Sequence, residues 1–216
     1  MSGGLNKKFI AEKAAFLQDY FLIWKGDQTL NAKGVYSFDI MRDKATRITN
    51  SAGKSMKACT LTTMTGRGKA VGSDTNDILG YYVPYGHNEA FHHRLVDNVD
   101  FCFTPTLNGC TFVVGSGATP LVSHYNYQTG PVDAPAIDQA KIDQRINNRY
   151  GNDYTALRRG NYKLGPRMEY KATIVGIREG DGWHFYYQRR SQDMVHVPGQ
   201  GSSLVTIAEN QSVQLT

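Results

Sequence analysis

The chain has no long hydrophobic run. Its longest wholly apolar stretch, Phe21-Leu22-Ile23-Trp24, stops at Lys25, far short of the ~20 residues of a membrane-crossing helix, so no membrane span is expected. Lys7, Lys8, Glu12, Lys13 and Asp19 interrupt the first 25 residues, which leaves no apolar core for a Sec-type signal. Cysteine is scarce: Cys59, Cys102 and Cys110 cannot all pair within one chain, so free thiols and a reducing compartment are expected. Charge of one sign is not concentrated. The 24 Lys+Arg against 19 Asp+Glu give +5, spread without a basic stripe, and nucleic acid is not an expected partner. Repeats, low-complexity tracts and long linkers are absent too, and one domain over residues 1–216 is the expectation.

What is present points to a β-rich globular fold. Apolar residues make up 40% and charged residues 20% of the chain, inside the range of proteins that bury a core. The 22 glycines and 13 tyrosines suit strands and turns better than a helical bundle. Ile10, Ala14, Leu17, Phe21 and Trp24 recur at helical steps, which predicts an amphipathic helix over about 5–24 covering a sheet. Short runs rich in Val, Tyr, Phe and Thr predict strands at 35–40, 56–64, 79–83, 99–103, 111–114 and 121–125. Asn50 to Gly53, Gly66 to Gly68 and Gly72 to Asp74 read as turns. Helical period returns over 134–158, with Ile142, Ile146, Tyr150, Tyr154 and Leu157 on one side and a break expected at Gly151. Strands at 168–178 and 183–190 flank Glu179-Gly180-Asp181-Gly182 as a hairpin, and a last strand falls near 204–208.

Several chemistries lack their spacing. Gly53-Lys54-Ser55 ends like a phosphate loop, but the required earlier glycine position is Ile48. His87, Glu89, His92 and His93 are metal-ligand types, yet adjacent histidines on a strand point to opposite faces, so no metal is expected. Cys59 and Cys102 sit in apolar strand settings, as small buried hydrophobes do. Cys110 differs. The Asn108-Gly109 turn precedes it directly and a strand follows. A nucleophilic cysteine needs a reachable sulfur, backbone N–H groups for an oxyanion and a base. A tight turn supplies the first two, and His124 on the next strand is the candidate base. Neighbouring strands also bring a Cys and a His together without catalysis, so from the residues alone both readings stand.

Thr104-Pro105-Thr106-Leu107-Asn108-Gly109-Cys110, followed by residues 111–123 and His124, resembles the core of the cysteine-dependent protein glutamine deamidases, the superfamily of the cytotoxic necrotizing factor catalytic domain, the Burkholderia lethal factor and CheD. The lethal-factor branch, also a single domain of about this size with a Phe-Thr pair opening the motif, is the most similar. There a Leu-Ser-Gly-Cys type turn carries the nucleophile, a histidine on the next strand is the base, and in two branches a threonine six positions before the cysteine orients it. Thr104 holds that position, and Asn108 stands where the family has serine.

The resemblance implies an α+β fold, a sandwich of two mixed β-sheets flanked by helices. It implies catalytic Cys110, His124 and Thr104, no cofactor, and hydrolysis of a glutamine side chain to glutamate in a host or target-cell protein of the small GTPase or translation factor class. A Cys110 thiolate held by a His124 imidazolium is the expected nucleophile. A monomeric bacterial toxin or effector, secreted or translocated by a non-Sec route into the host cytosol, is the biological setting implied. The same Cys-His pair also serves a transglutaminase or a cysteine peptidase. The rival from another class is a non-catalytic β-sandwich binding protein using tyrosines such as Tyr81, Tyr82, Tyr85, Tyr125 and Tyr127. A buried Cys110 with His124 out of reach would favour that rival.

Overall fold

A computed structural model describes residues 3–25, 32–46, 48–49, 55–64, 77–96, 99–131, 136–162, 169–197 and 201–209. The turns expected at Asn50 to Gly53, Gly66 to Gly68 and Gly72 to Asp74 lie outside these residues, as do Lys54 and the ends of two expected elements at 134–135 and 168.

Two helices, α1 (Gly3–Glu12) and α2 (Ala14–Asp19), lead into β1 (Tyr20–Trp24), β2 (Gly34–Arg42), β3 (Ile48–Thr49), β4 (Ser55–Thr63), β5 (Ile78–Tyr82), β6 (Glu89–Arg94) and β7 (Phe101–Phe103). Then come β8 (Thr111–Gly115), β9 (Leu121–Asn126), β10 (Gln128–Thr129), β11 (Ala136–Ile137), α3 (Gln139–Tyr150), β12 (Tyr154–Leu157) and α4 (Arg159–Tyr162). The long strands β13 (Glu169–Glu179), β14 (Gly182–Val197) and β15 (Gly201–Glu209) close the order. The fold is α+β and mostly sheet.

Among the described residues the large sheet runs β1-β4-β2-β5-β7-β13-β14-β15-β3, and β3 also pairs with β4, so the sheet curls nearly closed. It is mixed, with parallel pairs β1–β4, β5–β7 and β15–β3. A second sheet, β12-β8-β9-β6, is antiparallel throughout. The expectation of two mixed sheets is thus corrected for the second: β8 and β9 follow each other across a short link, which permits only an antiparallel pair.

Alternation along the strands sorts the core. Cys102 of β7, Ala172 and Ile174 of β13 and Phe185 of β14 share one cluster with Phe112, Val114 and Val122 of the small sheet. The intervening Phe101, Phe103, Val175 and Ile177 pack instead with Phe9, Phe16 and Leu17 of α1 and α2. Period-2 strands with both faces covered require this arrangement. Cys59 and Cys102 are buried within these clusters, as their settings imply.

The helix expected over 5–24 is corrected. It breaks at Lys13, whose φ is 43°, and residues 20–24 form β1, parallel to β4. Tyr20 and the four apolar residues after it fit a strand covered on both sides: Leu22 packs with the helices and Phe21 and Ile23 with Ile48 and Ala58. Helical and strand periods overlap in so short a run. Gln188 of β14 then ties this edge across the curled sheet, accepting from the Leu22 N–H at 2.8 Å and donating to the Leu17 and Tyr20 carbonyls at 2.8 and 2.7 Å. The helix expected over 134–158 is likewise confined to 139–150. Gly151 ends it with φ 61°, and residues 154–157 become β12 on the edge of β8.

Candidate functional site

The segment from Thr104 to Cys110 joins the large sheet to the small one and is pinned at several points. Leu107 bridges Ala172 of β13, its N–H donating at 2.7 Å and its carbonyl accepting at 3.0 Å. Gly109 adopts φ +95°, and a Cβ there would meet the Ile137 side chain at 3.0 Å, so both conformation and space call for glycine. The Tyr162 hydroxyl closes the turn from inside: it accepts from the Gly109 N–H at 2.9 Å and donates to the Cys110 carbonyl at 2.9 Å. Nothing in the sequence singles out Tyr162, because its role depends on α4 folding back onto the turn. Tyr162→Phe leaves a buried N–H and a buried carbonyl unpaired and should cost about 2–4 kcal/mol, read as a lowered urea midpoint at unchanged slope.

Register places the histidine. In the β8–β9 pair Phe112 lies opposite His124. Cys110, two residues before Phe112, stands on the same face by strand alternation and joins the same core cluster as Phe112 and Val114. Cys110 and His124 are therefore in diagonal positions on one face of the strand pair. The third residue joins from β7's end: Thr104 Oγ1 and His124 Nδ1 are 2.7 Å apart and fully buried. His124 Nε2 is buried without a hydrogen-bond partner. In the tautomer whose Nδ1–H donates to Thr104, Nε2 holds the lone pair that a base requires. The Val83 carbonyl and the Tyr85 ring, 6.0 Å between centroids, lie beside the imidazole.

Cys110 is 6% exposed, but it lines a groove of about 340 Å³ together with Tyr85, Thr106, Asn108, Asn126, Lys171 and Arg190. His124 is not part of the groove wall and stands behind it. Burial pushes the Cys110 thiol up to about 11, opposed by the N–H groups of Asn108 and of Cys110 itself. Burial also holds the His124 imidazolium down to about 3, opposed by the Val83 carbonyl. Both shifts favour the neutral pair over the expected thiolate–imidazolium pair, since removal from water penalises each charged form. Of the turn's donors, the Gly109 N–H is taken by Tyr162, whereas those of Asn108 and Cys110 favour the charged form of the thiol. A developing oxyanion next to that sulfur would meet these two.

The histidines of β6 diverge as adjacent strand residues must. His92 Nδ1 contacts Ser123 Oγ at 2.6 Å, while the His93 ring lies against Tyr81 on the other side. Among the described residues no group of three or more His, Cys, Asp or Glu side chains is placed to hold a metal ion. No helix among them is long and apolar enough to cross a membrane.

No family model matches this chain. No curated protein matches it either. Among solved structures it is similar to the C-terminal domain of CNFy from Yersinia pseudotuberculosis, with a TM-score of 0.39 and 8% identity over 95% of this chain and 98% of that one. That is a distant likeness of fold.

Proposed function

We propose that the chain is a protein glutamine deamidase in which Cys110 is the nucleophile, His124 the base and Thr104 the residue that orients it. The observation that carries this reading is the buried Thr104–His124 hydrogen bond, with Cys110 on the same sheet face at a clamped, glycine-dependent turn. The motif resemblance supplies the substrate class.

The carboxamide of a substrate glutamine enters the groove at Cys110. Sulfur attacks its carbon as the thiol proton passes to His124 Nε2, so the neutral resting pair becomes charged only during attack. The oxyanion accepts from the Asn108 and Cys110 N–H groups, and one such donor is worth ~2.7–4 kcal/mol of transition-state stabilisation. His124 returns the proton to the leaving nitrogen, ammonia departs and a thioester remains. Water then attacks, His124 takes its proton, and the C–S bond breaks to give glutamate and the Cys110 thiol. Thr104 keeps Nδ1 engaged throughout, so Nε2 faces the reaction. The family resemblance also carries a protein of the target cell as substrate, an effector's place in the host cytosol and a monomeric state.

The test is mass spectrometry of a host-cell lysate treated with the wild-type protein or with Cys110→Ser. A Gln-to-Glu conversion at one dominant site, made by the wild type alone, is the expected result. Two folded proteins that leave the lysate unchanged would sink the reading.

A further inference from the structure

The outer face of the small sheet holds a second polar cavity, separated from Cys110 by the sheet itself. Helix α3 lies across this face through Ile142 and Ile146, which pack on Val113 and Tyr125. Helix and strands part further along to leave an open depression of about 530 Å³ lined by His92, Tyr125, Tyr127 and the exposed Arg145, Asn148 and Arg149. Among the described residues no carboxylate lines it. Arg145 and Arg149 are four residues apart on α3 and so project from the same side of the helix. Among the described residues neither has a carboxylate partner, whereas Arg158 and Arg178 are paired with Asp143 and Asp100. Lys141 adds a third cation nearby, its Nζ 4.6 Å from the centre of the Tyr127 ring.

Tyr125 adds a neutral donor: it is 1% exposed, lines the cavity, and its hydroxyl lies close to Ser123 and Arg149 without a well-formed hydrogen bond to either. A ligand acceptor would complete its hydrogen bonding. His92 is held in place by Ser123, which in turn bonds the Tyr150 hydroxyl. Burial first, then Arg149 and Lys33, push the imidazolium down to about 4, so the ring facing the cavity is neutral at pH 7.

We propose that this cavity binds a small soluble phosphate monoester, with Arg145 and Arg149 pairing the phosphoryl oxygens and Tyr125 and Asn148 donating to them. Guanidinium groups match phosphoryl oxygens in planar two-point contacts. Two guanidiniums, a hydroxyl and an amide offer more donors than one carboxylate accepts, and three terminal phosphoryl oxygens use them better. The volume lies within the ~300–1,000 Å³ of small-molecule sites, which leaves room beyond the phosphoryl group for an organic part against Tyr127 and Ala90. The site is independent of the Cys110 chemistry.

Titration calorimetry of the full chain with inorganic phosphate and with adenosine monophosphate tests this, alongside sedimentation with vesicles carrying a phosphatidylinositol phosphate. The expected result is saturable binding of the nucleotide, tighter than that of inorganic phosphate. Arg149→Gln and Tyr125→Phe should each weaken it about tenfold or more, while Lys44→Gln, the same charge change elsewhere on the surface, leaves it intact. Absence of saturable binding by either soluble probe overturns the proposal. So does an equal loss in Lys44→Gln, which would mark non-specific attraction to a chain of charge +5. Sedimentation with the vesicles in the absence of nucleotide binding would assign the site to a lipid headgroup and overturn the soluble ester. Circular dichroism of each variant separates lost binding from lost folding.

Discussion

Stability should fall steeply as the pH drops from 6.5 toward 4, before most carboxylates titrate. His124 is fully buried, and its folded-state pKa of about 3 lies far below the usual 6.5. Between those values the unfolded chain binds a proton that the folded chain refuses, so unfolding takes up protons and is favoured by acid. At pH 4 the deficit for His124 alone is roughly 3 kcal/mol, at 1.36 kcal/mol per pH unit. That is a large part of the 5–15 kcal/mol typical of a domain. His92 and His93, half-buried and lowered in the same direction, add to it with a discount for solvent screening. Asp43, held down to about 2 by Thr46 and Lys25 against burial, loses its contribution only below its ordinary 3.8 and so marks a separate, more acidic window. Urea midpoints across pH 4–8 check this. The slope between pH 6.5 and 4 should shrink by up to one proton in His124→Asn, which stays neutral throughout. Midpoints independent of pH in the wild type would show that His124 is protonated in the folded state.

Alkylation of Cys110 by iodoacetamide should be slow at pH 7 and should climb about 1,000-fold between pH 7 and 10, because the reactive thiolate grows tenfold per unit until the pKa of about 11. An ordinary thiol near 9 would level off within that range. Relative to such a thiol, two units cost about 100-fold in thiolate at pH 7. The greater nucleophilicity of a more basic sulfur returns nearly 10-fold of this, leaving Cys110 about 10-fold slower before any hindrance. Cys102, fully buried and raised further, should label later still. Peptide mapping of the native protein, with circular dichroism to confirm folding at each pH, reads the three thiols separately. A plateau by pH 8 would reveal a thiolate already paired with imidazolium in the resting protein. The slow, rising profile instead requires His124 to act as a base during attack, not to store a charged pair beforehand.

The strands legible in the sequence are those with aromatic and β-branched alternation, and β2, β4, β5, β7, β8, β9, β13, β14 and β15 lie where that pattern puts them. The expected hairpin around Gly180 is the β13–β14 pair. The strands missed have reasons of their own. β1 is an apolar run whose spacing continues that of the helix before it. β6 carries Glu89, His92, His93 and Arg94, polar side chains that mask alternation until His92 and His93 are seen on opposite faces. β12 follows α3 after only three residues, and its Tyr154 and Leu157 continue the helical spacing.

The candidate site divides in the same way. Local chemistry determined a turn at Asn108-Gly109, a strand on each side of the short link that follows, and Cys110 and His124 on one face once those strands paired, because each feature depends on residues near one another in the chain. Only the tertiary structure decided the protonation state of that pair and which turn N–H groups are free, since both depend on desolvation and on partners distant in the chain. Tyr162 closes the turn from 52 residues away and Ala172 pins it from β13, while Thr104, 20 residues before His124, reaches the imidazole through the junction of the two sheets. The second cavity belongs wholly to that level: Arg149 and Tyr125 meet only because α3 packs across β9, and no spacing along the chain records that contact.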